Sequence, residues 1–298
     1  YPRKKMHKSG FVNIIGNPNV GKSTLMNALV GEKLSIITSK AQTTRHRIMG
    51  IVSGEDFQIV YSDTPGILKP SYKLQESMMK FVTGALTDAD VILYVTDTVE
   101  QSERSAEIVD SIRRSGIPTV VVINKIDLST PEALEALVDK WQAEIPGAQV
   151  VPTSAKENFN IEGLFRTILS LLPEGPAFYP KDTLTDKTLR FFASEIIREK
   201  ILKFYDKEIP YCCEIEIDSY REEPTIDRIA ATIYVARDSQ KGILIGHKGE
   251  KLKRVGQTAR EDMEEFLGKK VFLQLFVKVS DDWRNNERQL RRFGYELE

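Results

Sequence analysis

The chain has 298 residues, with 42 lysines and arginines against 43 aspartates and glutamates. A length prior of roughly 150 residues per domain predicts two domains. The hydrophobic fraction of 41% and the charged fraction of 29% are typical of a globular protein and argue against a disordered or fibrous chain. The apolar runs span only a few residues, far short of the roughly 20 that cross a bilayer.

The N-terminal segment and the cysteines are typical of a protein in a reducing cytoplasm. Residues 1–9 are basic, but no apolar stretch of signal-peptide type follows them, so we expect a cytoplasmic protein. Cys212 and Cys213 are adjacent, a spacing that rarely closes a relaxed disulfide, and two thiols cannot make a structural zinc site. The three histidines, His7, His46 and His247, are scattered, so we expect no histidine metal centre.

Short apolar segments alternate with amphipathic segments over the first part of the chain. The predicted strands are 11–16, 57–61, 91–95, 119–123 and 149–152, and the predicted helices are 23–30, 74–86, 103–114, 131–143 and 161–172. Strands that are apolar on both faces and alternate with helices predict a mostly parallel sheet covered on both sides. The fold class is therefore a three-layer α/β domain.

The second part of the chain follows a different pattern. Prolines and glycines between 173 and 180 indicate a linker, which divides the chain into domains 1–180 and 181–298. Apolar residues at helical spacing predict a helix over 187–207, and period-two alternation predicts strands that begin near Cys213 and Ile229. Helices at 240–245 and 250–267 and a strand at 271–279 complete an α-β-β-α-α-β order, typical of a smaller α+β domain.

The segment Gly16-Asn-Pro-Asn-Val-Gly-Lys-Ser23 matches the phosphate-binding pattern GxxxxGK[ST]. It follows a predicted strand and opens a predicted helix, which is the context this motif requires. Backbone amides and the helix N-terminus offer positive charge to a phosphate. Lys22 can reach the outer phosphates, and Ser23 can bind the Mg²⁺ ion that bridges them.

Three further segments separate the classes of phosphate-loop protein. Asp63-Thr-Pro-Gly66 places a carboxylate that can hold Mg²⁺ through water and an amide, at Gly66, that can meet the terminal phosphate. Asn124-Lys-Ile-Asp127 places a carboxylate that accepts two hydrogen bonds from guanine and none from adenine, while the Lys125 stem packs on the base. Thr153-Ser154-Ala155 can present an amide to the guanine carbonyl.

All four segments follow predicted strands, where ligands of α/β proteins bind. The first motif alone also allows an ATPase or a kinase, and Asn124 to Asp127 argues against both. We assign to the nucleotide site Gly16, Asn17, Pro18, Asn19, Val20, Gly21, Lys22, Ser23, Thr24, Asp63, Thr64, Pro65, Gly66, Ile67, Asn124, Lys125, Asp127, Ser154 and Ala155.

The phosphate loop, the segment Gln42-Thr-Thr-Arg45-His-Arg47 and the segment Asp63-Thr-Pro-Gly-Ile67 together resemble the Era family of bacterial GTPases. The resemblance covers essentially the whole chain and implies a P-loop GTPase domain followed by a type II KH domain. It implies that 42–46 form the first switch and that Thr44 joins Ser23 and Asp63 around Mg²⁺, with Thr43 as the alternative.

Two residues bear on the rate of hydrolysis. Ile67 stands where many GTPases carry a glutamine that orients the attacking water, so we expect slow intrinsic hydrolysis. Related GTPases with an asparagine in the phosphate loop use a potassium ion, and Asn19 resembles that asparagine. The predicted catalytic residues are Lys22, Thr44, Asp63, Gly66 and Asn19.

A GxxG loop, Gly246-His-Lys-Gly249, lies between two predicted helices of the second domain. Glycine pairs are common, but in this element order the loop resembles that of a KH domain, which clamps single-stranded RNA. Between 237 and 254 six basic residues face two acidic ones, although such a run is also typical of a solvated helix face. The predicted RNA-binding residues are Lys241, Gly246, His247, Lys248, Gly249, Lys251, Lys253 and Arg254.

The sequence therefore favours a GTPase whose nucleotide state controls RNA binding. The Era resemblance implies that the partners are the 3′ end of small-subunit ribosomal RNA and the assembling small ribosomal subunit. A membrane-associated regulatory GTPase without an RNA role is the alternative, with weak peripheral contact to the inner membrane. An RNA-modification enzyme would need a second active site. The basic segment 283–292 either extends the RNA surface or caps the fold, and a monomer is the default.

Overall fold

The computed structural model describes residues 5–36, 40, 42–99 and 106–296. The chain forms two compact units. The first contains the chain up to Pro70 and Met78–Asp186, and the second contains Ser71–Ser77 and the chain from Lys187 onward. The predicted boundary at 180 falls in the stretch 173–186, which packs along the first unit through contacts such as Thr185 Oγ1 to the Met49 carbonyl, 2.6 Å.

The first unit is built on a six-stranded sheet with the order β2-β3-β1-β4-β5-β6. Its strands are β1 (Lys8–Gly16), β2 (Ile48–Ser53), β3 (Phe57–Asp63), β4 (Val91–Asp97), β5 (Thr119–Asn124) and β6 (Gln149–Pro152). Every neighbouring pair is parallel except β2 with β3. The mostly parallel sheet confirms the predicted fold class.

Strand β2 is absent from the sequence prediction, which is wrong there. Gly50 in its middle weakens the strand pattern. A Cβ at Gly50 would lie 2.6 Å from Val30 Cγ2, so the glycine lets the helix that follows β1 approach the sheet. Packing of this kind does not show in a strand propensity.

Helices cover both faces of the sheet. They are α1 (Lys22–Val30), α2 (Lys73–Thr87), α3 (Ala106–Ser115), α4 (Pro131–Glu144) and α5 (Ile161–Leu171). One core cluster joins β4 and β5 to α2, α3 and α4 through residues such as Tyr94, Val109 and Trp141. Helices α1 and α5 contact each other on the other face. The start of the predicted helix 103–114 lies outside the described residues.

The second unit contains α6 (Leu189–Phe204), α7 (Ile209–Cys212), β7 (Glu214–Glu222), β8 (Ile226–Val235), α8 (Asp238–Ile245), α9 (Glu250–Leu267), β9 (Lys270–Val279) and α10 (Glu287–Arg292). The sheet order is β7-β8-β9, with β7 antiparallel and β9 parallel to β8. The α-β-β-α-α-β order is confirmed, and the one-turn helix α7 is an addition to it.

The last segment packs back on the second unit. The Trp283 side chain is fully buried, and its Nε1 donates to the Cys212 carbonyl at 2.8 Å. Leu290 is also fully buried, and Arg292 pairs with Glu216 of β7 at 2.8 Å. Cys212 is itself buried, as is Cys213, and both are free thiols. This segment therefore caps the fold.

Candidate functional site

Five parallel strands of the first sheet end at one edge, and four of them end in a glycine or a polar residue. The last residues of β1, β3, β4, β5 and β6 are Gly16, Asp63, Asp97, Asn124 and Pro152. Because these strands are parallel, their carboxyl ends meet along the same edge, the usual place for a ligand in an open α/β sheet. Three of the four predicted nucleotide segments begin there, and the fourth follows Pro152 directly.

Two glycines of the phosphate loop have no room for a side chain. A Cβ at Gly16 would lie 2.3 Å from the Val95 carbonyl oxygen, and one at Gly21 would lie 2.1 Å from Asn124 Nδ2. Gly21 also has a φ of 96°, a conformation that side chains disfavour. Helix α1 begins at the next residue, Lys22, so its free amides face the loop as an anion site requires.

The loop opens into a cleft of about 380 Å³, within the range of ligand sites. Lys22, Lys40 and Lys125 line it, and none of the described lining residues is acidic. Lys22 is buried, and its Nζ donates to the Asn17 carbonyl at 2.9 Å. The cleft is therefore positively charged and suits a polyphosphate. Its other lining residues are Pro18, Asn19, Gly21, Ser23, Thr24, Ile36, Gln42, Thr43, Thr44 and Gly66.

Ser23 and Thr44 line this cleft, and the buried Asp63 is hydrogen-bonded to Ser23. The Ser23 hydroxyl donates to Asp63 Oδ2 at 2.8 Å and lies 3.1 Å from Thr44 Oγ1. The Thr43 hydroxyl instead donates to the Lys40 carbonyl at 2.6 Å. Of the two threonines that the sequence left open, the structure thus places Thr44 beside the other predicted metal-binding residues.

Asp63 has the environment of a cation ligand. It is fully buried, and its second oxygen, Oδ1, accepts no hydrogen bond of good geometry from the described residues. Burial raises the pKa of Asp63, and the Lys22 charge and the Ser23 hydroxyl oppose that shift. A buried carboxylate oxygen and two hydroxyls are the hard oxygen donors that Mg²⁺ prefers, so these residues fit the ion.

Asn27 holds the chain that follows α1, a contact that the sequence did not indicate. From α1 its Oδ1 accepts the amides of Leu34 at 2.9 Å and Ser35 at 3.0 Å, and its Nδ2 donates to the Ser35 carbonyl. No sequence motif surrounds this asparagine. Its positioning role is therefore visible only from its hydrogen bonds to residues seven and eight positions further along the chain.

Gly66 and Ile67 lie against the phosphate loop. A Cβ at Gly66 would be 2.9 Å from Pro18 Cα, and the Ile67 amide donates to the Gly16 carbonyl at 3.0 Å. The Ile67 side chain is buried in the cluster that contains Ile15 and Val82. It therefore points into the core, and being apolar it cannot orient a water molecule.

Asn124 joins the loops around the predicted guanine site. Its Nδ2 donates to the Val20 carbonyl at 2.9 Å, and its Oδ1 accepts the Ala155 amide at 2.9 Å. Asp127 is exposed, and its Oδ1 accepts the Ser154 hydroxyl at 2.8 Å. The carboxylate is thereby oriented while Oδ2 is left available, as guanine recognition requires.

Lys125 is fixed by a residue that the sequence analysis missed. Its Nζ lies 2.8 Å from the Asp97 carboxylate and donates to the Asn19 carbonyl, and its own carbonyl accepts the Thr98 hydroxyl at 2.8 Å. Asp97 is buried and ends β4, so its position at the same sheet edge was the available signal.

The GxxG loop of the second unit has an unusual backbone. Gly246, Lys248 and Gly249 have φ values of 76°, 51° and 73°. A Cβ at Gly246 would lie 2.7 Å from Lys251 Cγ, so both conformation and space favour glycine there. The side chains of His247 and Lys248 are exposed. The loop thus presents an open backbone flanked by basic side chains.

The predicted basic residues of α9 point in two directions. Lys251 Nζ lies 5.6 Å from the Tyr205 ring centre and the Arg254 guanidinium carbon 3.9 Å from that of Phe204. Lys253 instead lines a groove of about 540 Å³ beside the GxxG loop. Of the groove lining, only Gly249 and Lys253 were predicted from the sequence. The other lining residues are Leu252, Gly256, Gln257, Arg260, Leu273 and Leu275.

The described part of the chain contains neither a metal-binding cluster of the usual ligands nor a membrane-spanning helix. Within it, no group of three or more His, Cys, Asp or Glu side chains is arranged to hold a metal ion. Over the same residues, no helix has the length and apolar character of a membrane span.

The fold and the two sites define a P-loop GTPase domain followed by a KH domain. Residues 11–125 match the family model of the 50S ribosome-binding GTPases, and 208–284 match that of the KH domain. The chain is 45% identical to GTPase Era of Staphylococcus haemolyticus over 291 residues, 97% of each protein, and 45% identical to that of Alkaliphilus metalliredigens over 97% of this chain and 99% of that one. The protein belongs to the GTPase Era family.

Solved structures of Era have the same fold. A crystal structure of Era with MgGDPNP and nucleotides 1506–1542 of 16S ribosomal RNA matches with a TM-score of 0.93, at 40% identity over 98% of this chain and 100% of that one. A variant of Aquifex aeolicus Era bound to GDP·AlF4⁻ matches with a TM-score of 0.93, at 41% identity over 97% of this chain and all of that one. The resemblance seen in the sequence is thereby confirmed.

Proposed function

We propose that this GTPase is a Mg²⁺-dependent switch that binds small-subunit ribosomal RNA near its 3′ end during assembly of the small subunit. The observation that carries the proposal is the presence in one chain of a cleft at the phosphate loop and a GxxG loop with an adjoining groove that contains Lys253. The Era relative bound to MgGDPNP and 16S ribosomal RNA supports the choice of ligands.

Mg²⁺ would be held by the Ser23 and Thr44 hydroxyls and by Asp63 through water. The ion supplies positive charge that neutralises the phosphate oxygens during transfer. Lys22 adds a fixed charge from the protein itself, and the amides of the phosphate loop add partial charges that cost no reorganisation.

Slow, potassium-stimulated hydrolysis is part of the proposal. Because Ile67 is buried in the core, no side chain stands at that position to align water. Asn19 is exposed in the cleft with a φ of 64°, where its side chain is available to a monovalent cation. We expect GTP turnover to be about tenfold faster in potassium than in sodium at equal ionic strength. Equal turnover in the two salts, or equal potassium stimulation of the wild type and an Asn19→Ala variant, would rule out potassium activation at Asn19.

RNA binding through the GxxG loop is tested by one charge reversal and a matched control. Lys248→Asp places a carboxylate where a phosphate would bind, and aspartate tolerates the left-handed backbone at this position. Lys140→Asp makes the same change of net charge on the exposed surface of α4 in the first unit.

We expect Lys248→Asp to weaken binding of a single-stranded RNA from the 3′ end of the small-subunit ribosomal RNA about tenfold, and to flatten its salt dependence. Lys140→Asp should leave both unchanged, with GTP hydrolysis normal in each variant. Equal loss of RNA affinity in the two variants would show that net charge, rather than the loop, determines binding.

A further inference from the structure

The outer face of the second sheet carries a row of exposed side chains on β9. Alternate residues of a strand point to opposite faces. Val271, Leu273, Leu275 and Val277 pack into the core, so the residues between them point outward. This outward row is Lys270, Phe272, Gln274, Phe276 and Lys278, and all five are exposed. We call it the β9 outer row.

Both phenylalanines of the β9 outer row are open to solvent. Phe272 is 44% exposed and Phe276 is 50% exposed. Single exposed apolar residues are normal on protein surfaces, whereas two large rings on one face of a strand offer an apolar pair for a partner to cover. A strand also holds the rings more rigidly than a loop would.

Another part of this sheet face is covered by the C-terminal segment. Tyr295 donates from its hydroxyl to Glu214 Oε2 at 2.6 Å, and Arg292 pairs with Glu216 at 2.8 Å. The C-terminal segment therefore lies over the β7 side and engages the carboxylates there. The β9 side carries no such cover among the described residues.

Basic residues flank the two rings, although one of them, Arg228, is paired with Glu223 at 3.1 Å. Lys270 and Lys278 stand at the two ends of the β9 outer row, which contains no carboxylate. Arg228 of β8 lies opposite Phe272 in the sheet register, with its guanidinium carbon 5.6 Å from the ring centre. Aromatic rings set among basic residues suit a strand that has both bases and phosphates.

The two rings of the β9 outer row are separated along the strand, with a polar side chain between them. Four strand residues separate the Cα atoms of Phe272 and Phe276 by about 13 Å. Gln274 lies midway, and its amide can donate to and accept from the edge of a base. The row thus offers two stacking positions with a hydrogen-bonding group between them.

The β9 outer row adjoins the groove beside the GxxG loop. Leu273 and Leu275 of the same strand line that groove together with Lys253 and Gln257. Strand β9 is at the edge of its sheet. A chain that leaves the groove reaches the outer row by passing round this edge, so it need not cross the sheet.

We propose that the β9 outer row is a second binding surface for single-stranded RNA, which continues the groove beside the GxxG loop onto the outer face of the sheet. Phe272 and Phe276 stack with unpaired bases, Lys270 and Lys278 contact phosphates, and duplex RNA is not a ligand of this surface. The inference rests on the proposed RNA-binding function and names additional residues for it.

The test compares ring removal with ring retention in the full-length protein. The double variant Phe272→Leu with Phe276→Leu keeps apolar side chains but loses both rings, whereas the double variant with tyrosine at both positions keeps the rings. Phe266→Leu is the matched control, because Phe266 is 48% exposed in the same unit but lies on α9. The probes are single-stranded RNAs of about five and about twelve nucleotides from the 3′ end of small-subunit ribosomal RNA.

We expect the wild type to bind the longer RNA more tightly than the shorter one. The leucine variant should lose about tenfold or more in affinity for the longer RNA and little for the shorter one, while the tyrosine and Phe266→Leu variants match the wild type. In a Phe276→Trp variant, the longer RNA alone should quench the added fluorescence.

Two results would overturn the proposal, and they differ from the failure of the proposed function. Normal affinity of the leucine variant for the longer RNA would assign the rings to another partner, such as a protein. Unchanged fluorescence of the Phe276→Trp variant when the longer RNA binds would likewise assign the ring at this position to another partner. A wild type that binds neither RNA would instead refute the proposed RNA-binding function itself.

Discussion

Asn124 shows how single side chains hold the nucleotide cleft together. The sequence places it in a guanine-binding segment, and the structure adds that its amide connects the phosphate loop with the loop after β6. Gly21 makes this connection possible, because a Cβ there would meet the Asn124 amide at 2.1 Å. The phosphate and base ends of the site are therefore coupled through one residue pair.

Gly21→Ala should disable the cleft. The methyl group displaces the Asn124 side chain, and we expect the affinity for a fluorescent GTP analogue to fall about tenfold or more, equal to about 1.4 kcal/mol. Gly31→Ala is the control, because Gly31 also has a positive φ, 83°, but has nothing within 4 Å of its added Cβ. The control should lose about 1–2 kcal/mol of stability and keep its nucleotide affinity. Equal loss of affinity in both variants would contradict the proposed role of Asn124.

Asp127→Asn should change the base that the site prefers. Guanine offers two donors to the carboxylate, while xanthine has a carbonyl in place of the amine and suits an amide. We expect GDP affinity to fall about a hundredfold and xanthosine diphosphate to bind better than GDP, as competition titrations would show. Asp139→Asn, on the exposed surface of α4, should leave the preference unchanged. Retention of guanine preference by the Asp127 variant would place base recognition elsewhere.

Among the elements, helix α6 is unusual because several of its charged residues are buried. Glu195, Arg198, Glu199 and Lys200 all have less than a tenth of their surface exposed. Lys200 pairs with Glu199 at 3.1 Å and with Asp262 of α9. Burial lowers the pKa of Lys200, but the hydrogen bonds to Asp262 and Glu199 outweigh this effect and raise it. The ion pairs therefore fix how α6 packs on α9.

Lys200→Met should strongly destabilise the second unit. Removal of one partner leaves Glu199 buried without its main counter-charge, which costs about 3–5 kcal/mol, measured by urea unfolding. Lys203→Met is the control, because Lys203 is half exposed and contacts the same carboxylate at 3.4 Å; it should cost less than about 1 kcal/mol.

The pH dependence of the Lys200 contribution has a definite sign. Because the folded pKa is raised, this stabilisation is fully present below the ordinary lysine value and is lost only as pH rises through the folded pKa. The difference between the wild type and Lys200→Met should therefore stay constant from pH 6 to 9. If Lys200→Met and Lys203→Met lowered the free energy of unfolding by similar amounts, the interpretation of Lys200 as part of a buried ion pair would be refuted.

The elements also show what the sequence could and could not predict. Segments with their own local pattern, such as α1 after the phosphate loop or the period-two strands β7 to β9, were predicted from the sequence. Strand β2 was missed because Gly50 serves the approach of α1, and the charges of α6 were missed because Asp262 is far away in the chain. Asp97 and Asn27 act through partners on other segments, so no local motif reveals them.

At the scale of the whole molecule, one chain contains a GTPase unit and a KH unit. Thr44 and Gly66 stand where the terminal phosphate is expected, so GTP and GDP would differ in what these residues contact. The GxxG loop and its groove belong to the other unit. We propose that the nucleotide controls RNA affinity by biasing the protein between two states, which requires that GTP and RNA favour the same state.

The measurement that tests this central claim most directly is RNA affinity in the two nucleotide states. A labelled RNA from the 3′ end of small-subunit ribosomal RNA is titrated with the full-length protein in Mg²⁺, once with a non-hydrolysable GTP analogue and once with GDP. A scrambled RNA is the control. We predict that the matching RNA binds about tenfold or more tightly in the GTP-analogue state, the usual size of such coupling, and that the scrambled RNA binds weakly in both. Equal affinity for the matching RNA in the two states would contradict the account.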